Sequence, residues 1–422
     1  MMEVTEKMKP YPAYKPSGVE WIGEIPERWD VKKLKMVLTE KLKYGANESA
    51  ELDDENLPRY IRITDFDDMG KLRTETFRSL PYDTAKEYLL KNGDVLFARS
   101  GATVGKTFQF KNYDGEACFA GYLIKATVDE EIIFSDYLYY YTKSNSYENW
   151  KDSIFIQATI QNISADKYSI LDLPIPPNSE QQSIIAFLDR KTHQIDILIE
   201  KEQNKIELLK EQRSAVINQA VTKGLDPDVQ MKDSGIEWLG EIPEHWNIIK
   251  LKRATQFIYG DSLSNENRSN GNIPVYGSNG ITGYHNEAIT KSPCIIIGRK
   301  GSFGKINYSH VNCFPIDTTF YIDSTATHNN LRWLYYVLIT LRLDAFSKDS
   351  AVPGLSREES YEKTILLPLY SEQQSIAAFL DRKTSQIDIL IEKKHRQIGL
   401  FKKYRTALIS EAVTGKIDVR HQ

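Results

Sequence analysis

Two stretches of this chain carry the apolar spacing of a long amphipathic helix. In the first, Ile184, Phe187, Leu188, Ile195, Leu198, Ile199, Ile206, Leu209, Val216, Ile217 and Ala220 recur on a helical period. In the second, Ile376, Phe379, Leu380, Ile387, Leu390, Ile391, Ile398, Phe401, Leu408, Ile409 and Ala412 do the same. Such spacing gathers the apolar side chains on one stripe. Each stretch opens on S-E-Q-Q, at Ser179 and Ser371. The serine can cap the amide three residues on while Gln182 or Gln374 reaches back, and the glutamate suits the helix dipole. Pro174, Pro176, Pro177 and Pro368 stop the preceding strands, and Gly224 and Gly415 end the helices. Residues 189–191 and 381–383 are expected to break each region into a short and then a long helix. Neither stripe has a partner within its own stretch, so each is expected to pack on the other, antiparallel. The interface would be Ile195, Leu198, Ile206, Leu209 and Val216 against Ile387, Leu390, Ile398, Phe401 and Leu408.

The two stretches are copies. Residues 179–201 and 371–393 agree at 21 of 23 positions, and residues 15–35 and 232–252 at 14 of 21. The offsets are 192 and 217, so the first copy holds 25 more residues between its repeated ends. Near-identical ends around divergent middles describe one frame holding two interchangeable readers. The middles read as α+β. Residues 60–63, 94–97, 122–126, 294–297 and 319–322 have strand character. Helices are expected through 137–141, opened by residues 134–136, and through 333–338, opened by Asn329 and Asn330. Their tyrosines could stack on bases, but an aromatic face packed on a sheet is the preferred reading. The expected divisions are a domain over 1–172, a helical region over 173–228, a second domain over 229–370 and a second helical region over 371–422. The first 14 residues match no repeat.

Composition changes the picture only a little. At 422 residues, 41% hydrophobic and 27% charged, the chain can bury several cores. No run of about 18 apolar residues suggests a membrane span, and no secretory leader is seen, so a cytoplasmic protein is expected. Cys118, Cys294 and Cys313 lack metal-site spacing and are expected to be reduced and buried. The net charge of −4 does not suit a protein that neutralises DNA alone. The segments carry −6 (1–178), −1 (179–226), −1 (227–370) and +4 (371–422).

Several segments invite a chemical reading. Gly101 to Thr107 resembles a phosphate-binding loop, but its gap is one short and the second copy, Gly301 to Lys305, differs in length. What both copies share is a strand, an arginine, a glycine-rich turn and a lysine: Arg99, Ser100 and Lys106, then Arg299, Lys300 and Lys305. Two cations at an exposed turn suit phosphate contact; a structural hairpin needing glycine's positive φ is the competing reading. Ser278 and Asn279 sit in a loop that either reads base edges or simply turns between strands. Gln157, Gln161 and Asn162 precede the first helical region, and Arg357 the second. Glutamine or asparagine can pair with adenine and arginine with guanine, or these residues only cap and connect. No metal, nucleophile or methyltransferase motif stands out, so no catalytic site and no cofactor are expected in this chain.

The repeated G-E-I-P-E-x-W, the repeated E-Q-Q-x-I-x-x-F-L-D, and the pair A-R-S-G-A-T-V-G-K and I-G-R-K-G-S-F-G-K resemble the specificity subunits of type I restriction–modification systems over essentially the whole chain. The resemblance implies two target recognition domains, about 20–172 and 237–370, on an antiparallel coiled coil. Each domain would read half of a split, asymmetric double-stranded DNA site. The helices would space the halves and dock two modification subunits, which bind S-adenosylmethionine and methylate adenine N6. Restriction subunits would add translocation and cleavage. An orphan or anti-restriction DNA-binding protein is the alternative.

Overall fold

The structure, a computed structural model, describes residues 9–67, 70–101, 103–156, 162–345 and 354–420. The chain is α+β and forms two compact units, residues 1–202 with 396–422, and residues 203–395. Each unit takes one divergent middle together with half of each long helix.

Within the units the divergent middles share one topology. In the first, Lys43–Tyr44, Leu123–Ala126, Val95–Ala98 and Thr107–Gln109 lie in that order in an antiparallel sheet. In the second, Ile258–Tyr259, Thr319–Ile322, Cys294–Gly298 and Ile306–Ser309 repeat the order and the sense. A parallel pair accompanies each sheet: Arg59–Ile61 with Ala117–Phe119, and Ile273–Gly277 with Phe314–Pro315. The second unit adds the hairpin strand Gly280–His285. The tyrosine-rich helices Ser135–Tyr141 and Leu331–Thr340 pack on the sheets, with Tyr137, Tyr141, Trp333 and Tyr336 fully buried. Their tyrosines are core, because an aromatic ring gains most from removal from water.

The long helices differ from expectation. Asn178–Lys223 and Tyr370–Val413 each run unbroken, 46 and 44 residues, about 69 and 66 Å at 1.5 Å per residue. The polar runs at 189–191 and 381–383 do not break them, since they hold neither glycine nor proline and their polar groups are used. Thr192 and Thr384 hydroxyls donate to the carbonyls four residues back, Leu188 and Leu380, at 2.7 Å. Asp189 accepts the Tyr140 hydroxyl at 2.6 Å, and Asp381 that of Tyr336 at 2.7 Å.

The capping also differs. The helices begin one residue before the serines, and the carbonyls of Pro177 and Leu369 receive the first amides. The glutamine that reaches back is the first of each pair, not Gln182 or Gln374. Gln181 and Gln373 are buried and donate to the carbonyls of Pro176 and Pro368. Their own carbonyls accept the amides of Phe134 and Asn330, where the domain helices start. A primary amide can serve both needs at once because it carries donors and an acceptor.

The repeated tryptophan completes each junction. Trp29 and Trp246 are fully buried. Their indole N–H groups donate to Glu180 (2.7 Å) and Glu372 (3.3 Å), the glutamates of S-E-Q-Q. Each ring also lies against the glycine that ends the other long helix, Gly415 and Gly224 respectively. Thus the two sequence repeats meet in space, which is why both recur. In the first unit the chain ends also join: the amide of Asp418 donates to the Lys9 carbonyl at 2.8 Å, and Tyr11 packs edge-on against Trp29.

The long helices run antiparallel past one another. In the first unit Arg405 pairs with Asp196 (3.0 Å), and in the second Arg213 pairs with Asp388 (2.9 Å). Of the expected interface residues, Ile195, Ile206, Ile387, Ile398 and Leu408 are buried. Leu198, Leu209, Val216 and Phe401 are half-buried, and Leu390 is 44% exposed.

Candidate nucleic-acid interface

The arginine–glycine turn is built alike in both units. Val95–Ala98 ends at Arg99, and the hairpin closes through Ala98 N–H to Lys106 O and Gly105 N–H to Ala98 O, both 2.8 Å. Cys294–Gly298 ends at Arg299 and closes through Gly298 to Lys305 and Gly304 to Gly298, again 2.8 Å. Gly105 (φ +81°) and Gly304 (φ +73°) occupy the left-handed region that only glycine adopts freely. A Cβ on Gly304 would stand 2.2 Å from the Asp344 backbone. These glycines therefore serve the turn and its packing, not a phosphate cradle.

A strap from the segment before each long helix crosses the turn. Ser100 bridges Asn162, and the Ile163 amide donates to Arg99 O at 2.9 Å. Lys300 bridges Gly354, and the Leu355 amide donates to Arg299 O at 2.8 Å. The structure thus brings Arg99, Ser100 and Asn162 together in one unit, and Arg299, Lys300 and Arg357 in the other. Gln157 and Gln161 lie outside the described residues.

Each arginine rests on a tyrosine that the sequence analysis did not single out. The Arg99 guanidinium lies 4.7 Å from the Tyr44 ring centre, and Arg299 lies 5.3 Å from that of Tyr259. Arg357 covers the same Tyr259 ring at 5.1 Å. Tyr44 is 40% and Tyr259 48% exposed. A guanidinium over an aromatic face is held in place yet keeps its donors outward, as recognition requires. A signal was available: both tyrosines precede glycine, Gly45 and Gly260, at an offset of 215. A Cβ on either glycine would meet a neighbouring carbonyl oxygen at 2.2 Å.

The lysines are used unequally. The Lys106 side chain is exposed and, among the described residues, makes no hydrogen bond or ion pair. Lys305 donates to the carbonyl of Asn279 (3.0 Å) and to its Oδ1 (2.8 Å). It thereby holds Ser278 and Asn279, the tip of the hairpin between Ile273–Gly277 and Gly280–His285, beside the turn. Next to the first turn Lys143 donates to Thr107 O at 2.6 Å. Burial, aided by Arg405 and Lys106, lowers its ammonium from the usual lysine range to about 7. Cys118, Cys294 and Cys313 are free and buried. Among the described residues no helix is long and apolar enough to cross a membrane.

The family model for the type I restriction modification DNA specificity domain covers residues 26–208 and 243–399. The chain belongs to this family. It is a specificity subunit, the non-catalytic component of a type I restriction–modification system. It is 25% identical over 421 residues to the putative type I restriction enzyme MjaX specificity subunit of Methanocaldococcus jannaschii, covering 94% of this chain and 96% of that one. It is 29% identical over 207 residues to the EcoKI specificity subunit of Escherichia coli K12, covering 47% of this chain and 44% of that one. A chain from a solved structure concerned with assembly and conformational transition of the type I R-M system superimposes with a TM-score of 0.71. The match is 15% identical and covers 92% of this chain and 98% of that one. The HsdS subunit of Thermoanaerobacter tengcongensis superimposes at 0.50, 16% identical, over 93% of this chain and 98% of that one. These two likenesses show the fold.

Proposed function

We propose that this specificity subunit reads a bipartite, asymmetric double-stranded DNA target, one half-site per unit, and docks two adenine-N6 modification subunits along its long helices. The observation that carries this reading is the matched turn. Arg99 on Tyr44 and Arg299 on Tyr259 occupy the same place in two units whose surroundings differ. The first turn faces Ser100 and Asn162; the second faces Lys300, Arg357 and the Ser278–Asn279 tip. Equal scaffolds with unequal side chains suit two different half-sites. Phosphates would position the arginines and lysines, while base edges would be read by the variable polar groups.

The modification subunits would hold S-adenosylmethionine and draw the target adenine out of the duplex. They would also supply most of the positive charge that this chain, at −4, lacks. Restriction subunits would add translocation and cleavage, and the complex would work in the cytoplasm. Docking along the helices is favoured over an orphan binder because the helices keep apolar residues uncovered. Leu208 and its repeat equivalent Leu400 are 63% and 60% exposed, and Ile389 is 61% exposed. Apolar side chains left at matching positions of a repeat mark a surface that a partner covers.

Reconstitution tests this reading. Leu208→Asp with Leu400→Asp should abolish co-elution with the modification subunit while leaving the melting temperature of the isolated chain unchanged, since both side chains are mostly in water. Undiminished co-elution would remove the helices from the docking surface.

A further inference from the structure

The second unit holds a polar cleft beside the turn, sharing Arg357 with it. Its volume is about 510 Å³, and Lys252, Arg253, Gln256, His328 and Arg357 contribute to its lining, with no carboxylate among the lining residues. Arg253 and His328 are exposed and, among the described residues, make no hydrogen bond or ion pair. The Nε of Arg357 is buried without a hydrogen-bond partner. Lys252 is engaged by Glu362 at 2.7 Å and Arg357 Nη2 by the exposed Glu358 at 3.3 Å, so Arg253 carries the positive charge that no carboxylate among the described residues engages and Arg357 keeps its unpartnered Nε for a ligand.

Cations converging on one cleft repel each other unless an anion joins them. Arginine forks fit the oxygens of a phosphate, which takes two parallel hydrogen bonds from one guanidinium. The cleft is also tied to the turn. Arg357 lines it and covers the same Tyr259 ring as Arg299. A cationic path therefore runs from Arg253 through Arg357 to Arg299, along which a polyanion could lie. We propose that this cleft takes a backbone phosphate of the DNA read by the second unit. The proposal rests on the DNA-reading function above and adds to it an anchor whose two arginines the first unit does not carry. At the equivalent positions the first unit has Met36 for Arg253, by the 217 offset, and Ala165 for Arg357, by the 192 offset. The second half-site is then gripped through its backbone more firmly than the first.

The test uses the full chain with its modification subunits and a fluorescent duplex bearing the methylated motif, titrated over a range of salt concentrations. Arg253→Ala with His328→Ala should weaken binding about tenfold at about 0.1 M salt. It should lower the log–log salt slope by about one, as expected for one lost phosphate contact. The methylated motif should stay the same, and Arg253→Lys should retain most of the affinity. Wild-type affinity and slope in the double variant would overturn the proposal, as would a changed motif, which would make these residues base readers. Inorganic phosphate that raises the melting temperature of the wild type but not of the double variant, with DNA binding equal in both, would assign the cleft to a free anion and overturn it as well. A wild-type complex without sequence preference would sink the DNA-reading function itself and the cleft with it. Wild-type-like variants of a sequence-specific complex would sink the cleft alone.

Discussion

Trp246→Ala is expected to destabilise the second unit by about 3–5 kcal/mol, the usual cost of emptying a fully buried tryptophan site. Trp246 is 0% exposed and belongs to a cluster that also holds Ile217, Ala220 and Val221 of one long helix and Ile376, Ala377 and Leu380 of the other. Its ring therefore clamps both helices to the sheet, and its N–H reaches Glu372 at 3.3 Å. Alanine would leave a cavity where three elements meet, with no small movement able to fill it. Trp29→Ala should act equally on the first unit, where the bond to the buried Glu180 is 2.7 Å. Phenylalanine at either site should cost less, since it keeps most of the apolar area and loses chiefly the hydrogen bond. Denaturant unfolding of each variant measures this. A loss below about 1 kcal/mol for Trp246→Ala would mean that the junction is not held by this residue.

Arg99→Ala and Arg299→Ala are each expected to weaken DNA binding by the complex about tenfold or more, corresponding to a charge-assisted contact of about 1–3 kcal/mol. Each guanidinium is preorganised on a tyrosine ring, so little rotamer freedom is left to lose on binding. Arg299 also donates to Asp317 O at 2.7 Å, which fixes one edge of its fork and leaves the rest of its donors for a ligand. Lysine at these positions should rescue only partly, because it has no planar fork to lie on the ring. The methylated sequence should be unchanged, as for phosphate contacts. A relaxed motif at one position would reassign that arginine to a base edge, and unaltered affinity would remove the turn from the interface.

The frame of this fold was legible because it is written twice. The offsets of 192 and 217 marked the helices and the entry segments, and the apolar spacing gave the helical stripes. The purpose of the repeated polar residues was not legible. Gln181, Asp189 and Thr192 contact a helix that begins some 45 residues earlier in the chain, and no local pattern marks such a pairing. For the same reason residues 189–191 looked like a break, although their polarity is satisfied sideways within an unbroken helix. The shared topology of the two middles was hidden by their sequences, because their central strands are buried on both faces and such strands tolerate many apolar choices. The turn arginines stood out by their glycines. Tyr44 and Tyr259 did not, since a lone exposed tyrosine gains meaning only from the guanidinium above it.

The most direct measurement is single-molecule sequencing of methylated bases in a host carrying the modification subunit with and without this chain. The account predicts a new split, non-palindromic motif with N6-methyladenine in both halves, present only when the chain is expressed. No new motif beside a demonstrably active modification subunit would contradict it, and a palindromic motif would contradict the two unequal readers.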